Sequence, residues 1–293
     1  MTLGPPKSGP LHVALTFDDY FWAPAYATMR SICLATSRQR DLVFHLIHWH
    51  LTPEHRAELD AIATEFGATL IDHRLEDNRE LSELLKQLPH RKDLPPIVYA
   101  RLFLADYIPE GVSRFLFIDC DVYVRAPVEN LIGIDLEGRP IAAAPEPGRQ
   151  HLMLGDDMAG AGKPFASWDR YFNAGVLVID RPQWVAADLP GTLHGHIASG
   201  LIKTLYQDQD ILNLKFRDNW LPLDPRWNLT KPHPALRSLD PFIVHYTTGM
   251  KPWNAIAYVA FGSSYRQVMT KAVLRRYAAY RRKVYKTKTL MLH

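Results

Sequence analysis

The stretch Phe115-Leu-Phe-Ile-Asp119-Cys-Asp121-Val-Tyr-Val124 decides how the chain is read. Four large apolar residues, Phe115 to Ile118, read with Arg114 as a strand buried on both faces. Two carboxylates follow, with only Cys120 between them. In extended backbone, residues two apart point to one side, so Asp119 and Asp121 can face one point while Cys120 turns into packing. Close carboxylates repel and need a compensating charge near a core. A divalent cation supplies that charge, and Mn²⁺ or Mg²⁺ held by one or two carboxylates keeps positions open for phosphates. The place suits a ligand, because open α/β sheets bind at the carboxyl ends of their strands. The plain alternative is a pair of aspartates that only begin a turn.

Upstream, Leu11 to Phe17 and Leu42 to Trp49 read as apolar strands, and Ala68 to Ile71 as a third. Pro24 opens a helix that Ala25 to Ala35 continues. Thr52 caps the next, with Pro53 at its first position, Leu59, Ile62, Ala63 and Phe66 at helical spacing, and Gly67 as its stop. This β-α-β-α-β opening predicts a mostly parallel sheet with helices on both faces. Pro96 opens a helix filled by Val98 to Tyr107. Downstream, Ile141 to Ala144 is a strand, and Gly148 to Asp169 reads as a loop able to cover a site. Phe172 to Ile179 is a strand, and Pro182 to Ser199 is mainly helical. Asp208 caps a helix reaching Phe216, Phe242 to Val244 is a short strand leading into His245, and the chain from Tyr265 is helical.

With 293 residues, 47% hydrophobic and 22% charged, the chain has the composition of one large α/β domain and not of a disordered segment. The two cysteines, Cys33 and Cys120, build no disulfide framework, which suits a reducing compartment. Met1 to Pro10 lacks an apolar run of signal-peptide length, and the longest apolar runs are too short to span a bilayer. The expectation is a soluble cytoplasmic protein. The net charge of +3 conceals an asymmetry: Tyr265 to His293 holds nine basic residues and no acidic one, which leaves about −6 before it.

A second chemical feature is His245-Tyr-Thr-Thr248-Gly249-Met-Lys251-Pro-Trp253. A neutral His ligates a cation already held by carboxylates. Lys251 can reach a diphosphate as a point charge, and Gly249 lets backbone approach phosphate oxygens. The alternative is a core histidine followed by a surface loop.

Together these segments resemble glycosyltransferase family 8, retaining UDP-sugar transferases that include lipopolysaccharide galactosyl- and glucosyltransferases and glycogenin. The likeness spans about residues 11–262. In the family's order it is carried by Ala14-Leu-Thr16-Phe-Asp18-Asp19-Tyr20-Phe21, Tyr99-Ala-Arg101-Leu, Asp119-Cys120-Asp121, Tyr171-Phe-Asn173-Ala-Gly175-Val, Gln207-Asp208-Gln209-Asp210-Ile-Leu-Asn213 and the His245 to Trp253 stretch. It implies a GT-A fold, an α/β architecture with a single Rossmann-like, mostly parallel central sheet flanked by helices. Residues 1–10 would be a flexible N-terminus, 11–262 the transferase domain and 263–293 a basic, aromatic C-terminal helical tail.

The resemblance also implies roles. Thr16 lies on the nucleotide-binding strand, and Asp18, Asp19 and Tyr20 would bind uracil and ribose. Asp119, Asp121 and His245 would hold Mn²⁺ or Mg²⁺, with Cys120 inside the same nucleotide-sugar segment. Arg101, Gly249 and Lys251 would contact the diphosphate or donor sugar. Asn173 and Asp208 would bind sugar hydroxyls, and Gln209 would lie beneath the anomeric carbon; these three are the candidate catalytic residues. Glu146 stands where relatives often carry an acid. Without the resemblance, these positions read as strand-end turns, a surface Arg and a helix cap. Two departures stand out: Thr248, not glycine, lies three residues after His245, and Tyr20 replaces the usual small polar residue.

The expected reaction moves galactose or glucose from a UDP-hexose to a hydroxyl of an oligosaccharide or lipid-linked glycan, as in lipopolysaccharide or polysaccharide biosynthesis. The tail interleaves Val273, Leu274, Tyr277, Tyr280, Val284 and Tyr285 with basic residues, which suits either an anionic membrane surface or a helix packed on the domain. The acidic body and absence of a recognition module exclude a nucleic-acid partner. A sugar-1-phosphate nucleotidyltransferase is disfavoured because Asp18-Asp19-Tyr20-Phe21 replaces a glycine-rich loop. A non-catalytic sugar-nucleotide-binding relative is the other alternative.

Overall fold

A computed structural model describes residues 9–89, 95–147, 164–165 and 169–290, the last five as backbone only. Residues 1–8 of the expected N-terminal arm and most of the expected 148–169 loop lie outside the described residues.

The strands are β1 (Leu11–Asp18), β2 (Leu42–Trp49), β3 (Thr69–Arg74), β4 (Arg114–Ile118), β5 (Val122–Val124), β6 (Ile141–Pro145), β7 (Phe172–Asp180), β8 (Leu221–Pro222) and β9 (Ile243–His245). Seven of them form one sheet in the order β3-β2-β1-β4-β7-β6-β8. β3, β2, β1 and β4 run parallel; β7 runs antiparallel to β4 and β6, and β8 is parallel to β6. This is the mostly parallel α/β sheet expected. Successive residues of a strand feed opposite cores, as the pleat requires. Leu116 and Ile118 enter one apolar cluster with Val13, Leu15 and Phe17. Phe115 and Phe117 enter the other with Ala14 and Leu177.

The helices are α1 (Trp22–Ala35), α2 (Pro53–Phe66), α3 (Arg79–Gln87), α4 (Val128–Ile132), α5 (Arg181–Ala186), α6 (Leu189–Ala198), α7 (Gln207–Lys215), α8 (Gly262–Val268) and α9 (Lys271–Leu290). Eleven of the fourteen residues of α1 are buried, because it is apolar on all sides and lies inside the first core. α2 begins and ends as the sequence predicts, with Thr52 accepting from the His55 amide and Gly67 left-handed at φ 71°.

Two expectations are corrected. Pro96–Asp106 is a 3₁₀ helix interrupted at Phe103, not an α-helix. Three residues per turn put Val98 and Arg101 on one face, and both line the same cleft. The helix after Tyr206 starts at Gln207, so Asp208 is not its cap. Its carboxylate reaches Arg101 instead, while Asp210 accepts from the Tyr206 amide at 2.7 Å. Of the two environments that suit the basic tail, packing on the domain is present on its apolar side: Val273 and Tyr277 are 3% and 1% exposed, and Leu274 and Tyr280 lie against the same core. No helix among the described residues is long and apolar enough to cross a membrane.

Candidate active site

The chain turns between β4 and β5, and the two aspartates sit in that turn. They converge through the turn and not by strand alternation. Three contacts hold it there. The Asp119 amide donates to the Gly175 carbonyl on β7 at 2.8 Å. The Thr28 hydroxyl of α1 donates to the Cys120 carbonyl at 2.7 Å. β5 pairs with β9 so that Val122 lies opposite His245. This small second sheet carries the imidazole to the carboxylates across more than a hundred residues of sequence. A carboxylate oxygen of each aspartate and one ring nitrogen of His245 all lie within 4.8 Å of one another. His245 Nε2 is 3.1 Å from Asp121 and 3.5 Å from Asp119.

The state of His245 follows from a chain of hydrogen bonds that begins at a backbone amide. Gly175 N–H donates to Asn173 Oδ1 at 3.0 Å, which fixes that atom as the oxygen. Asn228 Nδ2 donates to the same oxygen at 2.8 Å, so Asn228 Oδ1 faces His245 Nδ1 at 2.9 Å. Nδ1 therefore donates to Asn228, and Nε2 is the ring nitrogen that faces the two carboxylates. Two carboxylates and an imidazole are a donor set suited to Mn²⁺ or Mg²⁺, which Nε2 would ligate through its lone pair. Burial alone would raise the pKa of Asp121, but Lys251 and His245 outweigh it and hold the carboxyl well below the usual range. Lys251 Nζ lies 2.6 Å from Asp121 and donates to the Tyr246 carbonyl at 2.6 Å.

Gly175 is a requirement of this geometry. A Cβ there would lie 2.2 Å from His245 Cε1 and 2.6 Å from Asp119 Oδ2. The adjacent Asn173 donates its amide to Glu146 at 2.8 Å.

Behind the aspartates lies Arg101, 6% exposed over the Phe117 ring. It contacts Asp119 at 3.0 Å and Asp208 at 2.7 Å and donates to the Ala174 carbonyl at 2.7 Å. Burial lowers its pKa, and Asp119 and Asp208 more than restore it, so Arg101 stays charged. Burial pushes Asp208 up to about 6, against the pull of Arg101. Gln209 accepts from the Ala174 amide at 3.0 Å and donates to the Tyr171 hydroxyl at 3.2 Å.

Thr16, Asp18, Arg101, Asp119, Cys120, Asp121, Glu146, Asn173, Asp208, Gln209, His245 and Lys251 line one cleft. Three sequence-derived candidates face elsewhere. Asp19 accepts from Thr52 N–H and the Tyr280 hydroxyl and contacts His55, which ties it to α2 and α9. The Tyr20 hydroxyl accepts from Arg281. Gly249 is exposed and has no neighbour that would meet a Cβ. The Cys120 thiol packs toward the Thr16 carbonyl, and burial raises its pKa, so it stays neutral.

The sequence reading missed Phe21, Tyr206, Lys231 and Thr247, which line the cleft, and Asn228, which holds His245. Phe21 directly follows the Asp18 turn, which is a local signal. Lys231 and Asn228 carry none, because only β9 pairing brings their segment to His245.

The sequence profile of glycosyl transferase family 8 matches residues 12–257. General stress protein A of Bacillus subtilis is 24% identical over 265 residues, 84% of this chain and 88% of that protein. Lipopolysaccharide 1,2-glucosyltransferase of Escherichia coli is 26% identical over 276 residues, 88% of this chain and 77% of that protein. Two pneumococcal glycosyltransferases are longer, and the match covers 31% and 29% of their lengths. Among solved structures, the galactosyltransferase LgtC in complex with donor and acceptor sugar analogs superposes with a TM-score of 0.70 at 22% identity, covering 88% of this chain and 95% of that one. That likeness carries the fold.

Proposed function

The chain belongs to glycosyl transferase family 8, and from that premise we propose that it transfers galactose or glucose from a UDP-sugar to a glycan or glycolipid hydroxyl, with retention at the anomeric carbon. The convergence of Asp119, Asp121 and His245 beside Lys251 in one cleft carries this reading.

When bound, a divalent cation would neutralise charge on the leaving diphosphate. Asp119, Asp121 and His245 would hold it. Lys251 stands beside Asp121 to counter the same developing charge. Arg101 keeps Asp119 and Asp208 in place from behind. Asn173, Asp208 and Gln209 would position the hexose, and Phe21 offers a flat apolar wall beside Asp18 for the base. The bond from C1 to the phosphate oxygen breaks with its electron pair going to the phosphate. The acceptor oxygen bonds to C1 from the same face, and its proton passes to the departing phosphate oxygen. Gln209 is an amide and a poor nucleophile, so front-face attack fits better than a covalent intermediate.

Thermal unfolding with UDP, with Mn²⁺, with both, and with both plus chelator tests the reading. Free UDP at a hundred times its Kd stabilises by about 2.7 kcal/mol. A shift that requires UDP and Mn²⁺ together supports the reading. Silence with every combination, and with GDP, ADP and dTDP as well, would remove the donor site and favour a non-catalytic scaffold.

A peripheral contact with an anionic membrane is part of the same proposal. Arg275, Arg282, Lys283 and Tyr285 remain on the outer face of α9. The neighbouring loop exposes Met250, Ile256 and Tyr258 (55%, 97% and 66%) and is joined to α9 by Arg281 donating to Asn254. Flotation with anionic vesicles that is unchanged by Arg282→Glu with Lys283→Glu would remove the membrane role.

A further inference from the structure

We propose that Lys231 is a second cation on the donor's diphosphate, opposite Lys251, an inference that rests on the UDP-sugar reading above. Lys231 lines the same cleft as the three candidate metal ligands, yet it lies outside every motif that carries the family likeness.

Its position is fixed by backbone pairing. The Leu229 amide donates to the Ile243 carbonyl, and the His245 amide donates to the Leu229 carbonyl, each at 2.9 Å. Residues 229–231 therefore run alongside 243–247. Two residues on, the Lys231 amide donates to the Thr247 hydroxyl at 3.1 Å. Lys251 Nζ donates to the carbonyl of Tyr246, the residue before Thr247. The two lysines thus flank the Tyr246–Thr247 peptide, next to the imidazole that completes the metal triad.

The charges of the cleft give this lysine a task. Asp18, Asp119, Asp121, Glu146 and Asp208 line it. Of its cations, Arg101 is paired with Asp119 and Asp208, and Lys251 with Asp121. Lys231 is exposed and has no ion-pair partner among the described residues. A diphosphate entering beside His245 meets it as an unmatched charge.

The backbone points the same way. Lys231 is left-handed at φ 47°. A side chain other than glycine or asparagine is strained there. Asparagine tolerates this conformation better than lysine, so the fold by itself gives no reason for a lysine. Such strain gathers at ligand clamps.

The experiment is calorimetric titration of UDP and of UMP, each with Mn²⁺, into the wild-type chain, Lys231→Asn and Lys231→Arg. The asparagine keeps the backbone conformation and removes the charge, and its unfolding temperature should equal or exceed that of the wild type. UDP should bind Lys231→Asn about tenfold more weakly, a change of about 1.4 kcal/mol. UMP, which lacks the second phosphate, should bind both chains alike, and Lys231→Arg should retain most of the UDP affinity. UDP affinity within twofold of wild type overturns the inference, as does equal weakening of UDP and UMP. A raised acceptor KM at unchanged UDP affinity overturns it too, by placing Lys231 on the acceptor. If the wild-type chain itself fails to bind UDP with Mn²⁺, the donor reading falls first and this inference falls with it.

Discussion

His245 Nδ1 lies 2.9 Å from Asn228 Oδ1, and this contact leaves Nε2 as the only imidazole atom free to hold a cation. Asn228 is 2% exposed and also donates to Asn173, so it cannot turn without breaking both bonds. Partners of this kind fix the tautomer and orientation of a ligand. Asn228→Ala should therefore weaken Mn²⁺ binding about 10- to 100-fold while the two aspartates remain in place. Mn²⁺ titration in the presence of UDP checks this, and unchanged affinity would show that Nε2 is not a ligand.

Gly175→Ala tests the close approach of β7 to the triad. The new methyl would overlap His245 Cε1 and Asp119 Oδ2. Neither side chain can retreat easily, because Asp119 is held by Arg101 and His245 by Asn228. The expected outcome is a folded protein, destabilised by about 1–3 kcal/mol through overpacking, whose UDP-induced stabilisation no longer depends on Mn²⁺. A retained Mn²⁺-dependent shift would show that the three ligand atoms need not come this close.

Which parts of this site were legible depends on whether each signal is local. Strands β1, β2 and β4 were read within a residue or two because each is apolar, continuous and bounded by turn residues. Thr52, Pro53 and Gly67 delimited α2 for the same reason. Asp119 and Asp121 stood out as adjacent charges after such a strand. Asp208 was misread as a cap because capping is the local use of Asp, whereas its partner Arg101 is distant in sequence and reached only in the folded chain. Asn228 and Lys231 left no mark, since the short pairing along β9 that brings them in has no periodic pattern. The tail's aromatics suited two environments equally, and only tertiary packing shows which of them, Tyr277 and Tyr280, lie against the domain.

Three imidazoles cross β1, β2 and β3 in a hydrogen-bonded row. His12 Nδ1 is 2.9 Å from His45 Nε2, and His45 Nδ1 is 3.1 Å from His73 Nε2. Burial lowers the pKa of all three, and His45 falls to about 3, with His12 and His73 adding to the effect. A base with a depressed native pKa stays neutral in the fold while the unfolded chain takes up protons near 6.5. Stability should be flat above that pH and fall as the solution is acidified from about 6.5 toward 3. His45→Leu should reduce this acid slope, read as unfolding temperature against pH. An equally steep slope in the variant would locate the proton uptake elsewhere.

The C-terminal helix is structural before it is anything else. Tyr277 packs edge-on against Trp22 and Trp253, and Tyr280 donates to Asp19 at 2.9 Å. Tyr277→Ala should destabilise by about 3–5 kcal/mol, the usual loss for a large buried aromatic, as measured by denaturant unfolding. A loss below about 1 kcal/mol would mean that α9 docks loosely and its aromatics are available to other surfaces.

Gln209 offers a prediction that separates catalysis from binding. Its Oε1 is identified by the Ala174 amide that donates to it, so Nε2 must face the Tyr171 hydroxyl. That hydroxyl donates in turn to Asp210 at 2.6 Å. Burial, reinforced by Asp210, raises the Tyr171 pKa well above its ordinary value, so the phenol remains a neutral donor. The chain Asp210–Tyr171–Gln209 therefore locks the amide in one orientation, and Tyr171→Phe removes the lock without touching Asp121, His245 or Lys251. If Gln209 faces the anomeric carbon, kcat should fall roughly tenfold, about 1.4 kcal/mol of barrier, while donor KM and UDP affinity stay within about twofold of wild type. A rise in donor KM at constant kcat would place Gln209 in ground-state binding. Unchanged kinetics would mean that its orientation has no part in the transfer.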